Sequence, residues 1–304
     1  MRVLAEQIEL ATIVLCYKAS EDVVGAVRSL LDQDLPTEIV VVNSGGGNVD
    51  AVLRRAGITV PCIEYPERLY VGAARNRGID NTKAPFIAFL ASDCRACPGW
   101  VERRLVRHRS GARAVASAIA NSHPRNLVAC AGYIGMFMRR LPGLPETMAI
   151  RFGASFDRAL FDCYGRFDES VPASEDTEFL KRLPPELQPV WEPDVQTIHL
   201  NETRLLRLMI DQFRRGIGHG RDMHRILGKS HARIARDVLR QWRPARTLAR
   251  AGLSGSDLAY VRLSMPIFWL TLAAKACGVL VSQWSADRPH PATSAITARQ
   301  ASPR

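Results

Sequence analysis

The stretch Ala84-Pro85-Phe86-Ile87-Ala88-Phe89-Leu90, running on into ASDCRACPGW, Ala91 to Trp100, decides the reading of this chain. Its first half is a short apolar run, as expected of a strand buried on both faces. Its second half sets a lone carboxylate, Asp93, just past the strand's end, where it is placed to meet a ligand or a metal. A second acidic site follows about eighty residues later, Glu175-Asp176 in ASEDTEFLKRL, with an amphipathic helix behind it. Two separate carboxylate sites on one scaffold suggest metal-assisted group transfer.

Towards the N-terminus the same pattern repeats. Glu9 to Tyr17 (ELATIVLCY), Glu38 to Val42 (EIVVV) and Thr59 to Tyr65 read as further strands. Between them come helices. The first opens at Ser20 and Glu21, turns Val24, Val27, Leu30 and Leu31 inward, and stops at Asp34-Leu35-Pro36. Others cover Val49 to Ala56 and Gly72 to Asn81. Strands alternating with helices predict a parallel sheet covered on both faces. Ligands of such sheets bind beyond the carboxyl ends of the strands. That rim carries Tyr17, Asn43 and Asp93, and the second strand runs out into the flexible loop Asn43-Ser44-Gly45-Gly46-Gly47.

Towards the C-terminus, Trp100 to Arg109 reads as a helix and Val115 to Met138 as further strands. Leu141 to Glu146 reads as a proline-containing loop, Gly153 to Tyr164 and Glu175 to Leu183 as helices, and Val195 to Leu200 as a short strand. Glu202 to about Leu248 is helix-rich and arginine-rich. The segment from Pro289 is rich in Pro, Ala, Ser and Thr and is expected to be disordered.

With 304 residues and 47% hydrophobic content, one large α/β domain plus an extension is expected. Seven cysteines in no regular pattern suit a reducing compartment. Cys94 and Cys97 form a CxxC with no second copy, which argues against a four-thiolate zinc site. No basic stretch followed by an apolar run opens the chain, so no secretory signal is expected. The net charge of +11 is uneven. Residues 1–200 carry 23 Lys and Arg against 24 Asp and Glu, whereas residues 201–304 carry 18 against 6. A strongly basic last third points to an anionic surface as partner.

Taken in order, the first strand with Tyr17, EIVVVNSGG, GAARNRGI (Gly72 to Ile79), FLASDCRACPGW and EDTEFLKRL resemble the family 2 glycosyltransferases of the GT-A fold, over about Ala11 to Gly220. The resemblance implies an α/β GT-A (Rossmann-like) domain with a mostly parallel central sheet over residues 8–200. A helical, arginine-rich extension over 201–286 and a disordered tail over 287–304 would follow.

It also implies a set of roles. A nucleotide-sugar donor would be bound by Tyr17, Asn43, Arg75, Arg77, Ser92, Asp93 and Arg215. Mg²⁺ or Mn²⁺ would be held through Asp93, with His199 in TIHLNET as a further ligand. Asp176 would be the catalytic base, with Glu175 orienting it or the acceptor. The family's DxD-type motif here reads Ala91-Ser92-Asp93, so its first aspartate is missing. Asn43 stands where the family usually has a base-contacting aspartate, and its amide offers both donor and acceptor. QFRRG, with Gln212, Arg214 and Arg215, resembles the QxxRW motif of processive synthases, but Gly216 replaces the tryptophan. This argues for single-sugar transfer. GIGHG (Gly216 to Gly220) follows no strand and is rejected as a dinucleotide loop.

Arg225 to Arg250 mixes arginines with apolar residues, and Leu263 to Trp284 is the most apolar segment, long enough to span a bilayer. Lys275 near its middle makes a plain span costly. Trp269 and Trp284 suit interface anchors. Three readings stay open: a helix on or dipping into the membrane, a packed soluble or dimer-forming helix, and a true span. No nucleic-acid-binding motif accompanies the charge.

The expectation from the sequence is therefore an inverting transferase. It would carry a sugar from a UDP-sugar to a hydroxyl of a glycan or lipid-linked acceptor in surface polysaccharide or glycolipid assembly. The expected place is cytoplasmic and peripheral at the inner face of the plasma membrane. Ala91 and Asn43 keep two alternatives in view: a non-catalytic sugar-nucleotide-binding protein and a membrane-associated scaffold.

Overall fold

A computed structural model describes residues 8–171 and 174–284. The expected disordered tail, 287–304, lies outside the described residues. In chain order the elements begin with β1 (Leu10–Tyr17), α1 (Val23–Leu31), β2 (Glu38–Ser44), α2 (Val49–Arg55), β3 (Cys62–Tyr65), α3 (Val71–Asp80) and β4 (Phe86–Ala91). They continue with β5 (Cys94–Ala96), α4 (Trp100–Arg109), β6 (Ala114–Asn121), α5 (Leu127–Phe137), β7 (Ser155–Asp157), α6 (Ala159–Tyr164), α7 (Glu175–Arg182) and β8 (Val190–His199). Helices α8 (Leu205–Leu227), α9 (His231–Leu239), α10 (Trp242–Gly252), α11 (Gly255–Leu263) and α12 (Met265–Val281) complete the chain.

The chain divides into two compact units. One comprises residues up to Ser122, Phe137–Leu200 and Leu248–Ser254. The other comprises His123–Met136, Asn201–Thr247 and the chain from Gly255.

The first unit is built on an eight-stranded sheet of order β3-β2-β1-β4-β7-β6-β8-β5. β1 pairs in parallel with β2 and β4, β2 with β3, and β6 with β8, while β7 and β5 join antiparallel. The strands β1, β2 and β4 are apolar at nearly every position because both faces are covered, and the alternation of side chains sorts them into two layers. Leu10 and Val14 of β1, Ile39 and Val41 of β2, and Ala88 and Leu90 of β4 face one layer, with Val27 and Leu30 of α1, Leu53 of α2 and Trp100 of α4. Ile13, Val40, Val42 and Ile87 face the other, with Ala74 and Ile79 of α3, Phe161 of α6 and Phe179 of α7. Gly78 lets α3 close on β1, since a Cβ there would lie 2.3 Å from Ile13 Cγ2.

Buried polar groups staple the layers. His108 of α4 bonds the Ala112 carbonyl through Nδ1 and Ser155 Oγ through Nε2, each at 2.8 Å, and stacks on Phe86 with centroids 4.2 Å apart.

Three expectations need correction. The inward face of α1 is Val23, Ala26, Val27 and Leu30, and Leu31 is exposed. Val27 and Leu30 are buried as expected and Val24 packs partly buried against the same core, so the correction falls on Leu31, the last residue of the helix. Residues 115–138 are not all strand: β6 ends at Asn121 and Leu127–Phe137 is helical. That helix is apolar on all sides, which gives no period to distinguish it from a buried strand. In the second unit its Gly132 sits against Leu208 and its Gly135 against Phe268. The helix expected from Gly153 begins only at Ala159, because Ser155–Asp157 add the short strand β7 to the sheet.

In the second unit α8 and α12 cross at very short range. A Cβ on Gly216 would lie 2.1 Å from the Lys275 carbonyl oxygen, and one on Gly278 would lie 2.1 Å from the Phe213 carbonyl oxygen. Gly220 fits beneath Ser282 and Val279 in the same seam. GIGHG is thus a helix-crossing motif, and the glycine that departs from QxxRW stands where no larger side chain fits.

Candidate active site

The carboxyl ends of β1 and β2 are knitted into one wall. Lys18 and Ala19, just beyond β1, both adopt left-handed backbone (φ 55° and 47°), a strained state for residues with a Cβ. Asn43 holds them there: its Oδ1 accepts from the Ala19 N–H at 2.9 Å. Its Nδ2 donates to the Gly46 carbonyl at 3.1 Å and to Glu64 Oε2 at 2.8 Å. The other oxygen of Glu64 accepts from the Val49 N–H at 2.6 Å, at the start of α2. Asn43 is wholly buried, and both protons of its amide are taken by the protein. The structure therefore gives this residue a loop-shaping task.

Gly45, Gly46 and Gly47 all have positive φ, and a Cβ on Gly45 would lie 2.4 Å from the Tyr17 ring. The loop so packed leaves Tyr17 45% exposed, with the Arg68 guanidinium 5.5 Å and the Lys18 ammonium 5.4 Å from its ring centre. An exposed aromatic face beside two cations can stack a planar base near an anion.

Beside it, β4 ends in Ala91-Ser92-Asp93. The antiparallel pairing of β5 with β8 sets Cys94 opposite His199, and the Leu200 N–H donates to the Asp93 carbonyl at 2.9 Å. That register brings His199 Nε2 to 3.5 Å from Asp93 Oδ2. The Asp93 side chain is about half exposed (49%), while the imidazole is largely covered and rests against Phe137. Burial works against ionisation of Asp93, but hydrogen bonding to His199 and its positive charge outweigh it and hold the carboxyl below its ordinary range. The Ser92 backbone donates to the Leu15 carbonyl at 2.9 Å and accepts from Arg95 at 3.0 Å.

Among the described residues no group of three His, Cys, Asp or Glu side chains gathers as a metal cluster. One carboxylate and one imidazole are nonetheless a fitting partial donor set for Mg²⁺ or Mn²⁺, which commonly complete their shells with phosphate oxygens and water.

The second carboxylate site is tied to α3. Gly72 admits a close approach, since a Cβ there would lie 2.5 Å from the Asp168 carbonyl oxygen and 3.3 Å from Glu175 Cβ. Arg75 Nη1 pairs with Glu175 Oε1 at 2.9 Å, with both side chains largely buried (15% and 7% exposed). The guanidinium lies 4.9 Å and 5.1 Å from the ring centres of Phe89 and Phe167. Asn76 clamps the same segment, donating to the Phe167 carbonyl at 2.9 Å and to Glu169 at 3.0 Å, and accepting from the Phe167 N–H at 3.2 Å.

Arg77 points the other way, forming an exposed pair with Glu169 at 3.2 Å. Asp176 follows Glu175 in the first turn of α7, where the helix dipole favours a carboxylate. It is part-buried and accepts from the Thr177 N–H at 2.7 Å. Among the described residues no cation pairs with it. Ser174, just before, is left-handed (φ 71°).

The structure thus brings Asp93 to His199 and Arg75 to Glu175. Arg215 belongs to the second unit, on α8, where it pairs with Asp211 at 2.6 Å. Glu64, Arg68 and Asn76 were not foreseen. Asn76 lies inside GAARNRGI, and its burial was the one signal open to a reader of that helix's period.

Residues 12–165 match the family model for glycosyl transferase family 2. No curated protein matches the chain in sequence. Among solved structures the chain is similar to the mannosyltransferase PcManGT from Pyrobaculum calidifontis, in complex with GDP-Man and Mn²⁺. Identity is 14%, coverage 92% of this chain and 88% of that one, and the TM-score 0.58. It is also similar to S. aureus TarS 1-349 in complex with UDP-GlcNAc, at 12% identity, 91% and 92% coverage and a TM-score of 0.51. At these identities the likeness is one of fold, and the fold is GT-A.

Proposed function

The chain belongs to glycosyl transferase family 2 and is a glycosyltransferase; on that premise we propose that it moves a sugar, with inversion, from a nucleoside-diphosphate donor to an acceptor hydroxyl. The observation that carries the proposal is the pairing of two unlike carboxylate sites in one unit. Asp93 is half exposed at the strand rim, and Asp176, with no cation paired to it among the described residues, stands next to a locked Glu175.

The donor's base stacks on Tyr17, and Arg68 and Lys18 set positive charge beside it. UDP-sugars are the donor class tested first; of the similar structures, one is a complex with GDP-Man and another with UDP-GlcNAc. Asp93 and His199 would hold Mg²⁺ or Mn²⁺, which would supply counter-charge to the diphosphate leaving group. Asp176 takes the proton from the acceptor hydroxyl as the donor's bond to the sugar breaks on the opposite face. Glu175, fixed by Arg75, positions the first turn of α7 and so the Asp176 carboxylate. The acceptor is a glycan or lipid-linked glycan of surface polysaccharide or glycolipid assembly.

Release of nucleoside diphosphate from UDP-, GDP- and dTDP-sugars, with and without Mn²⁺ and with candidate acceptors, tests this reading. Metal-dependent turnover of one donor is expected. Failure of the folded protein to bind any of the donors would overturn it.

A further inference from the structure

Helix α12 is apolar on both faces, and only one of them is used inside the second unit. Phe268, Leu272, Ala276 and Val279 are buried, and the glycine seam joins the helix to α8. The opposite face is a continuous exposed stripe. It runs through Leu263 (64% exposed), Trp269, Leu270 (50%), Leu280, Val281 and Trp284 (75%). The other exposed positions between Leu263 and Gln283 are a proline, an alanine and a cysteine, so the stripe carries no charge. At about 1.5 Å per residue its α12 part, 17 residues, is about 25 Å long, with Leu263 at the end of α11 and Trp284 just past α12. Single exposed apolar residues are ordinary, but an unbroken apolar stripe of this length marks a docking surface.

The margin of the stripe identifies what docks. Trp242 of α10 packs at a tilt against Trp269 with ring centres 5.7 Å apart, and Arg243 and Arg246 lie 5.6 Å and 5.7 Å from the Trp242 ring. Arg262 adjoins the stripe's first residue. In these segments of the second unit Arg240, Arg243, Arg246 and Arg262 are exposed against a single acid, Asp257. A second copy offers no acidic patch in this segment to answer the arginines, whereas anionic lipid headgroups do. Tryptophan and arginine bordering an apolar face are the composition of a helix lying in a bilayer interface.

Length and composition alone would also allow Met265–Trp284 to cross a membrane. The contacts speak for lying flat, because the other face of α12 is committed to α8. That helix carries Asp211, Arg214, Arg215, Arg221 and Asp222, which a spanning α12 would drag into hydrocarbon.

We propose that the exposed stripe of α12, with Arg243, Arg246 and Arg262 at its edge, seats the protein on the surface of an anionic lipid bilayer. The helix axis lies in the plane of the interface. The proposal does not depend on the transferase reading.

The test is co-sedimentation of the full chain with phosphatidylcholine vesicles, with and without phosphatidylglycerol. The variants are Leu270→Glu/Leu280→Glu and Arg243→Gln/Arg246→Gln, and light scattering reads the oligomeric state. The wild type is expected to bind the anionic vesicles in a salt-sensitive manner. The leucine variant should bind at least about tenfold more weakly with an unchanged melting temperature. The arginine variant should lose the preference for anionic lipid. Leucine-variant binding equal to wild type would overturn the proposal. So would a wild type that ignores both vesicles and forms a dimer that the leucine variant dissociates.

Discussion

The two carboxylate sites of the first unit are built in opposite ways. At the strand rim, Asp93 is half exposed, the imidazole of His199 lies 3.5 Å from it, and the position two residues before, where the family usually has a first aspartate, is Ala91. At the head of α7, Glu175 is buried and held by an arginine that is itself wedged between two phenylalanine rings. The first site is partial and leaves room for a ligand to complete it. The second is finished in advance, and the rigidity of Glu175 is lent to Asp176, which has no such partner among the described residues. A transferase needs both kinds: an adaptable seat for a departing diphosphate and a fixed base for the acceptor.

The largest expected effect tests the fixed site. Asp176→Asn should lower turnover by about 10²–10⁴-fold, the usual worth of a general base, while donor affinity stays within about twofold in calorimetric titration. A fall in affinity equal to the fall in turnover would erase the distinction between the sites. Arg75→Met probes how the fixed site is held. It leaves Glu175 buried without a cation and should destabilise the protein by about 3–5 kcal/mol in urea unfolding. Arg75→Met together with Glu175→Met should recover much of that loss.

A pH titration sharpens the comparison only above the scaffold's own acid limit. Burial depresses the His108 pKa to about 4, below its ordinary value near 6.5. The unfolded chain therefore binds the proton more readily, so the stabilisation is full above about 6.5 and drains away as pH falls towards about 4. Urea midpoints should decline over that window, and pH profiles of the two carboxylate sites must be read above it. The smallest effect belongs to Arg77. Its exposed pair with Glu169 is worth no more than about 1 kcal/mol, so Arg77→Ala should leave the melting curve nearly unmoved, in contrast to Arg75 two residues away.

This contrast also shows what a sequence can reveal. The strands β1, β2 and β4 were plain because burial on both faces forces unbroken apolar runs. Asp93 stood out as a charge directly after such a run. Helix α5 was misread because an all-apolar, glycine-containing segment has no period. The link between Arg75 and Glu175 joins residues a hundred positions apart, and nothing local announces it. Asn43 reads as a ligand contact in the sequence, and its amide also bonds Ala19, Gly46 and Glu64, partners that only the folded loops bring within reach. GIGHG was rejected as a dinucleotide loop, but its packing against α12 joins residues some sixty positions apart and is not written locally.

The most direct test of the account compares donor binding with turnover in Asp93→Ala and Asp176→Asn, using the donor identified by nucleoside diphosphate release, with and without Mn²⁺. The account predicts that Asp93→Ala loses the Mn²⁺-dependent part of donor binding. Asp176→Asn should bind donor like the wild type and fail to transfer. Unchanged metal-dependent binding in Asp93→Ala, or undiminished transfer in Asp176→Asn, would contradict it.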